Sequence, residues 1–261
     1  MIMRRMSFVL CAIVALCVFT GCSVKEDRSL CPSRMVLDFT GLDTDMIGSV
    51  CLLGTGPDGI VLRDHVKSSD FDKTYVREVP YGKLRLNFWS GADGYISDKD
   101  GLVIPFGDEC PAVYMSSSEH EVVEERWEHK VSLKKNYCCI TVAVIGMDTM
   151  PYGLSLSGNV KGYGLDGSPL EGEYGFIAYP GEDGKAVMRV PRQLDASLML
   201  IVDDSNMVRK NFALGEYIAE SGYDWTADEL EDISVTLDFS VSYSTLIINK
   251  WDEEYVFDIV L

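Results

Sequence analysis

The sequence predicts an all-β protein of two tandem β-sandwich domains, transthyretin-like or Ig-like, with one or two short helices. Many short apolar runs are separated by turn residues roughly every ten residues, a spacing typical of sandwiches. Alternation with period two is most regular over Ile233–Tyr243, where apolar residues interleave with serine, threonine and aspartate. Hydrophobic residues make up 47% of the chain, which is enough to fill such cores.

The N-terminal residues predict a lipoprotein signal peptide over residues 1–21. Arg4 and Arg5 precede an apolar run at residues 7–19, which is too short for a bilayer that needs about 20 apolar residues. The cut site at residues 19–22 ends in Cys22 and resembles the lipobox of bacterial lipoproteins. That resemblance implies that Cys22 is acylated, palmitate being one such chain, and begins the mature protein. The alternatives are an ordinary secretory signal with a chance cysteine and a single-span anchor.

Residues 22–33 form a predicted lipidated tether. Its Lys25-Glu26-Asp27 cluster resembles the surface-export signal of Bacteroides-type lipoproteins, and the alternative is a solvated charged linker. The chain has a net charge of -18, and removing Arg4 and Arg5 leaves 21 Lys and Arg against 41 Asp and Glu, or -20. So acidic a surface argues against nucleic acid as a partner and against electrostatic docking on anionic lipid.

The mature chain is long enough for two domains. Without residues 1–21, 240 of the 261 residues remain. A boundary at the Lys134-Lys135-Asn136 segment divides them into an N-terminal sandwich at 34–134 and a C-terminal sandwich at 135–261. Each part then has the usual size of a sandwich domain, about 100 residues.

In the first domain we expect strands at Met35–Thr40, Ser49–Leu53, Ile60–Arg63, Thr74–Val79 and Lys83–Trp89. Gly54–Gly59 has the GxGxxG spacing of a dinucleotide site, but a strand follows where that site needs a helix. We therefore interpret it as a hairpin turn. Residues 93–101 are predicted as a loop. Residues 122–133 fit a helix or a strand, with strand favoured for the second half.

In the second domain we expect strands at Cys138–Ile145, Leu154–Ser157, Glu173–Tyr179, Ala186–Val190, Leu198–Val202, Ile233–Tyr243 and Leu246–Trp251. The first of these is almost continuously apolar, which predicts burial on both faces. Leu214–Ala219 is a candidate helix, and the capping-box pattern at 226–229 predicts a helical turn at Asp228–Glu231. Tyr255–Leu261 is apolar, which is typical either of a core strand or of an edge ready to pair with another chain.

Five cysteines follow Cys22, so at least one stays free if the others pair in an oxidising compartment. Cys31 and Cys110 each precede a proline at a domain edge, and we predict a disulfide between them. Cys138 and Cys139 are adjacent in a predicted strand and therefore point to opposite faces.

No catalytic set is recognisable, so we predict that the protein is not an enzyme and holds no cofactor or metal. Asp93, Asp98 and Asp100 with Gly101 hint at a calcium loop, but the EF-hand spacing is missing and a surface turn is favoured. The acidic run at 119–128 is interpreted as a solvated face. The histidines, too, are expected to be solvated rather than metal ligands, and they are His65, His120 and His129.

The tryptophans are the remaining candidate binding residues. If exposed together they can stack on sugars, although core packing is favoured for each one alone. They are Trp89, Trp127, Trp225 and Trp251.

Several short motifs follow one another along the chain in an order typical of one protein family. They are the lipobox, Lys25-Glu26-Asp27, Cys31-Pro32 before Val36–Phe39, Pro80–Gly91, Leu214–Ala219, Tyr223–Trp225 and Asn249–Trp251. Together they resemble the Bacteroides-type fimbrial anchor subunit lipoproteins, the FimB family. The resemblance implies a surface-exposed outer-membrane lipoprotein with two sandwich domains. It implies that the protein anchors a fimbria (pilus) and regulates its length through strand contacts with pilin subunits, and that only Cys22 carries over as a functional residue.

Within this resemblance, Tyr255–Leu261 is the candidate for strand-mediated contact, and an ordinary core strand is the alternative. Two other functions stay open. One is a surface glycan-binding lipoprotein of a carbohydrate-uptake system, which needs aromatic side chains on an exposed face. The other is a lipid-anchored hydrolase that uses Glu124 or Glu125 with a second carboxylate in a cleft.

Overall fold

A computed structural model describes residues 31–92, 94–97, 99–146, 153–203, 209–239, 244–250 and 253–259. The described part contains nineteen β-strands, one α-helix and one short 3-10 helix at Ser68–Asp70. The predicted all-β class with short helices is therefore confirmed. The signal peptide, Cys22 and the Lys25-Glu26-Asp27 cluster lie outside the described residues.

Residues 33–135, here called the first half, form two sheets that face each other. Their orders are β4-β1-β9 and β10-β8-β5-β2-β3. The ring of Phe88 on β5 stacks on His129 of β9 with centroids 5.7 Å apart, so the apolar faces meet between the sheets. The strands are β1 (Ser33–Asp38), β2 (Ser49–Gly56), β3 (Gly59–Lys67), β4 (Tyr75–Val79), β5 (Gly82–Ser90), β6 (Ile96–Ser97), β7 (Gly101–Val103), β8 (Tyr114–Val122), β9 (Arg126–Lys130) and β10 (Lys134–Lys135).

Residues 136–259, the second half, supply most of two further sheets. Their orders are β14-β11-β17-β18-β19 and β16-β15-β12-β7-β6, and β13 pairs with β12. Phe212 of β16 contacts Phe239, which follows β17, with ring centroids 6.1 Å apart. The elements are β11 (Tyr137–Ile145), β12 (Gly153–Tyr163), β13 (Pro169–Ala178), β14 (Lys185–Pro191), β15 (Met199–Asp203), β16 (Arg209–Phe212), α1 (Leu214–Glu220), β17 (Ile233–Asp238), β18 (Ser244–Lys250) and β19 (Glu253–Ile259).

The segment predicted as a loop at 93–101 instead contributes to a hairpin, and that prediction was wrong. Strands β6 and β7 pair with each other, and Val103 and Leu102 of β7 pair with Gly162 and Tyr163 of β12. Gly162 permits this contact, because its φ is +154° and a Cβ there would lie 1.9 Å from the Leu102 carbonyl oxygen. Residues of the first half thus join a sheet of the second.

The proposed boundary between residues 134 and 135 stays a prediction. The described residues from Ser33 onward belong to one compact unit. Lys135 of β10 contributes to its cohesion, because its ammonium donates to the Leu230 carbonyl at 3.0 Å and to Asp232 Oδ1 at 2.7 Å. Contact with Asp232 raises the pKa of this lysine despite partial burial, which acts in the opposite direction.

Two local predictions in the second half need correction. The capping-box pattern starts no helix at 228–231, because Thr226 uses both its amide and its hydroxyl on Asp224 Oδ1, at 2.8 and 2.6 Å. The long strand expected to reach Tyr243 has its ladder end at Asp238, and residues 240–243 lie outside the described part. The candidate helix at 214–219 is confirmed as α1, and the strand favoured at the end of 122–133 is confirmed as β9.

The predicted Cys31–Cys110 disulfide is also wrong. Both thiols are free, with Cys31 exposed and Cys110 fully buried, and burial raises the pKa of the Cys110 thiol. Cys138 is buried and Cys139 is half-buried on the opposite face of β11, as the strand prediction requires.

Candidate functional site

The free edge of the second-half sheet is the first candidate contact site, and the β18–β19 hairpin forms it. Strand β18 pairs antiparallel with both β17 and β19, so it is an interior strand. Its Leu246 and Ile248 side chains are fully buried, opposite Leu237 and Val235 of β17. The apolar alternation of this segment therefore anchors the hairpin to the core.

Strand β19 is attached through its inward-facing aromatic rings. Phe257 lies 5.0 Å from the ring of Tyr217 on α1, and Tyr255 also packs half-buried against the core. The short helix α1 buries Leu214 and Ile218 beneath it, which fixes the position of Tyr217. The sequence predicted both α1 and the terminal strand, but their contact depends on the tertiary fold.

The outward side of β19 is different in character. Val256 is 57% exposed and Glu254 is exposed, and within the described residues no strand pairs with β19 beyond β18. A strand in this position presents backbone N–H and C=O groups along an open edge, which is a template for pairing with another chain.

The opposite edge of the same sheet is β14, and it supplies a useful reference. Its Val187 is 60% exposed, closely matching Val256. Arg189 of β14 is tied to the segment before β8, because its backbone N–H donates to Glu109 Oε1 at 2.8 Å and its Nε to the Cys110 carbonyl at 3.0 Å. The β14 edge is thus held partly by an earlier segment of its own chain, whereas in the part that the structure describes β19 pairs with β18 and contacts α1 through Phe257.

The prediction that the histidines are solvated is confirmed for His65, which is exposed, and is wrong for the other two. His120 and His129 lie half-buried between the first-half sheets, with ring centroids 4.8 Å apart, and His120 is also 4.6 Å from the ring of Trp127. Burial lowers the pKa of both, and for His129 the neighbouring His120 adds to the effect. His120 on β8 and His129 on β9 occupy positions whose side chains point inward, so the register of the two strands places both rings between the sheets.

The four tryptophans do not form one exposed aromatic face in the described part. Trp89 is only 8% exposed, and Trp127 lies in the histidine cluster with its Nε1 buried and unpartnered. Trp225 is half-buried beside Tyr223 on the loop after α1. Trp251 lies outside the described residues.

The acidic candidates remain at the surface. Glu124 and Glu125, the candidate hydrolase carboxylates, are exposed in the turn between β8 and β9. In the β6–β7 turn the Asp100 carboxylate accepts from the Ser97 hydroxyl at 3.3 Å, and the Asp100 backbone N–H donates to the same hydroxyl oxygen at 2.9 Å. Asp93 and Asp98 lie outside the described residues. Among the residues that the structure describes, no group of three or more His, Cys, Asp or Glu side chains is placed to hold a metal, and no helix is both long and apolar enough to cross a membrane.

Comparison with known proteins identifies the fold. The sequence matches no family model and no curated protein. The structure is similar to the fimbrial anchor protein Mfa2 from Porphyromonas gingivalis, with a TM-score of 0.64 and 13% identity over 85% of this chain and 98% of that one. The chain thus shares the fold of a Bacteroidetes fimbrial anchor.

Two further structures extend this similarity. A candidate polysaccharide-binding protein from Bacteroides thetaiotaomicron has a TM-score of 0.64 and 14% identity, over 87% of this chain and 98% of that one. A candidate adhesin from Bacteroides ovatus has a TM-score of 0.61 and 12% identity, over 87% of this chain and 95% of that one. The names of these similar proteins describe fimbrial anchoring, adhesion and polysaccharide binding.

Proposed function

We propose that this protein is an outer-membrane lipoprotein, held at the cell surface by acylated Cys22, that anchors a fimbria and limits its length. The observation that carries the proposal is the similarity in fold to a fimbrial anchor over 98% of that protein's chain. The lipobox and the charged tether add sequence support, because a lipid on Cys22 attaches the folded part to a membrane without a spanning helix.

The contact with the fimbria is proposed to run along the outer edge of β19. A pilin segment that pairs there extends the five-stranded sheet by one strand, so its backbone groups and those of β19 satisfy each other. Val256 then gains a cross-strand side-chain neighbour, which adds apolar contact to the new ladder. An anchor joined in this way ends the polymer at the membrane, which is how it limits the length of the fibre.

Lipid anchoring is tested by Cys22→Ala in cells whose surface proteins are labelled. We expect polymeric β-rich subunits to co-purify with the intact lipoprotein, and fibres to appear in the medium in the variant. Electron microscopy of the shed fibres measures their length. Retention of fibres on variant cells, or recovery of a lipoprotein with no fibrous partner, contradicts the proposal.

The contact edge is tested by Val256→Arg on β19, with Val187→Arg on β14 as the matched control. Both valines are exposed to a similar extent, 57% and 60%, on opposite edges of the same sheet, so both variants are expected to fold. Only Val256→Arg is expected to reduce fimbrial subunit recovery. Equal recovery from both variants rules out the β19 edge as the contact, and loss of folding in Val256→Arg alone supports the core-strand alternative.

A further inference from the structure

A cleft of about 560 Å³ opens where segments of both halves meet. Its walls come from the start of β8, from β10, from the turn between β12 and β13, from the residues after β14 and from the loop after α1. Its volume lies within the range of small-molecule sites, about 300–1,000 Å³. We call it the Trp225 cleft.

Trp225 provides an aromatic wall in a fixed position. Its indole is half-buried, with the ring of Tyr223 packed against it in a T-shaped arrangement at 4.7 Å between centroids. Arg192 donates from one terminal nitrogen to the carbonyl oxygens of Trp225, at 2.5 Å, and Ala227, at 2.7 Å. The loop that carries the indole is therefore held before any ligand arrives, which reduces the entropy lost on binding.

Uncharged polar side chains surround this wall. Ser116, Ser132 and Asn136 line the cleft with hydroxyl and amide groups. Gln193 also belongs to the wall and is 3% exposed; its Nε2 donates to the Pro191 carbonyl at 2.6 Å, while its Oε1 is buried without a partner. These hydroxyl and amide groups give the wall around the indole a capacity to donate and accept hydrogen bonds.

The charged groups of the cleft are already paired with the protein. Besides the two loop carbonyls, Arg192 donates to the Lys135 carbonyl at 2.9 Å, and Lys134 forms an ion pair with Asp228 at 2.5 Å. Asp166 accepts from the hydroxyl of Ser168 at 2.5 Å. Since the whole chain carries a charge of -18, an anionic ligand meets overall repulsion and no uncommitted cation in this wall.

We propose that the Trp225 cleft binds a neutral oligosaccharide. A pyranose ring has an apolar C–H face, which suits the indole, and a periphery of hydroxyls that donate and accept, which suits the serines and Asn136. A purely apolar ligand would leave these polar groups desolvated and unpaired, which is costly. The inference goes beyond fimbrial anchoring and does not depend on it, because the cleft shares no residue with β19.

The test uses the full mature chain with linear neutral hexasaccharides of glucose, mannose, xylose and galactose, and with hexagalacturonate as the anionic comparison. Calorimetry gives the affinity, and tryptophan emission reports contact with the indole. We expect one neutral sugar to bind and to shift the emission, with weaker or no binding of hexagalacturonate. Failure of all four neutral sugars to bind overturns the proposal.

Two variants locate the site. Trp225→Ala removes the aromatic wall, and Ser132→Arg fills the cleft with a long charged side chain while leaving the indole in place. Each is expected to weaken binding at least about tenfold, the loss that follows from one aromatic contact. Tyr179→Ala, an exposed aromatic at 68%, and Ser69→Arg, an exposed serine on the 3-10 helix, are the matched controls.

The second variant keeps the test decisive if Trp225→Ala unfolds, which thermal denaturation reveals. Sugar affinity that survives Ser132→Arg places the site elsewhere and overturns the proposal. Equal losses in Ser132→Arg and Ser69→Arg also overturn it, because the effect is then one of added charge alone.

Discussion

The two halves of the molecule begin with the same strand arrangement and end it differently. The first strand of each half, β1 or β11, has one antiparallel neighbour, β4 or β14, and one parallel neighbour, β9 or β17. In the first half the sheet stops at β9. In the second half the β18–β19 hairpin continues it, so β17 becomes an interior strand and β19 the edge.

The edge strands β9 and β19 also differ in the side chains that they expose. Strand β9 exposes Arg126, Glu128 and Lys130, and the first two form an ion pair at 3.1 Å. Charges on an edge strand discourage pairing with other chains. Strand β19 instead exposes Val256 next to Glu254. The comparison indicates that β9 is a protected edge and that β19 is the edge suited to a partner.

The largest expected effect concerns the inner strand of the hairpin. Ile248→Ala on β18 is expected to lower the free energy of unfolding by about 3 kcal/mol, because the side chain is 0% exposed and its loss leaves a cavity. Ile247→Ala on the opposite, half-buried face is the control and is expected to cost about 1 kcal/mol. Urea unfolding measures both. Equal, small losses contradict the interior position of β18.

A smaller loss is expected one strand further out. Phe257→Ala removes a half-buried ring that contacts Tyr217 of α1 at 5.0 Å, and we expect a cost of about 2 kcal/mol. A double-mutant cycle with Tyr217→Ala isolates the ring contact, for which about 1 kcal/mol is expected. Full additivity of the two substitutions would mean that α1 does not hold β19.

The third prediction is that stability depends on pH through the first half of the molecule, because all three histidines lie there. Burial lowers the folded-state pKa of His120 and His129 below the usual 6.5, so the unfolded chain binds protons more readily. Their neutral forms therefore support full stability above about pH 6.5, and stability falls as pH drops toward the lowered folded-state values.

Urea unfolding at pH 7.5 and 5.5 measures this dependence. In the folded state the two rings face each other, Trp127, Phe88 and the Ser118 hydroxyl. The double variant His120→Gln with His129→Phe is expected to lose much of the pH dependence in this window. His65→Gln, an exposed histidine, is the control and is expected to retain it. A wild-type protein equally stable at both pH values contradicts the prediction.

The sequence predicted those strands and helices in which the spacing of apolar residues determines which side is buried. The β2–β3 and β4–β5 regions and α1 agree with their predicted positions, because apolar spacing fixes which side faces the core. Strand β11 also lies where its continuous apolar run predicted, but it is not buried on both faces, since one face is only half-buried and Ile145 is exposed. The β6–β7 hairpin was missed because its two- and three-residue strands carry almost no alternation. Gly162, which lets β7 approach β12, shows its role only once the two chain segments meet.

The candidate sites were predictable to different degrees. Tyr255–Leu261 was selected from its apolar composition, and the structure describes its first part as edge strand β19. The Trp225 cleft was not predictable, because Trp225, Ser132 and Gln193 are far apart in sequence and meet only where the halves pack. Trp225 was a candidate on residue type alone, with no signal that separated it from the buried Trp89.

The smallest expected effect on stability comes from removing the charges that protect β9. The double variant Arg126→Val with Glu128→Val leaves Lys130 as the exposed charge of this strand, much as Glu254 is an exposed charge of β19. Because the ion pair is exposed, the free energy of unfolding is expected to change by no more than about 0.5 kcal/mol. The variant is nevertheless expected to self-associate, since an open edge strand with fewer charges can pair with a second copy.

Sedimentation velocity over a concentration series measures that association, with Arg85→Val and Glu119→Val as the matched control. Those two residues also form an exposed ion pair, but they join β5 and β8 within a sheet rather than lying on an open edge strand of the three-stranded sheet. A β9 variant that stays monomeric, or a control that associates equally, means that edge charge is not what distinguishes β9 from β19. The difference would then rest on backbone shape alone, and the exposed valine of β19 would lose its significance as a docking feature.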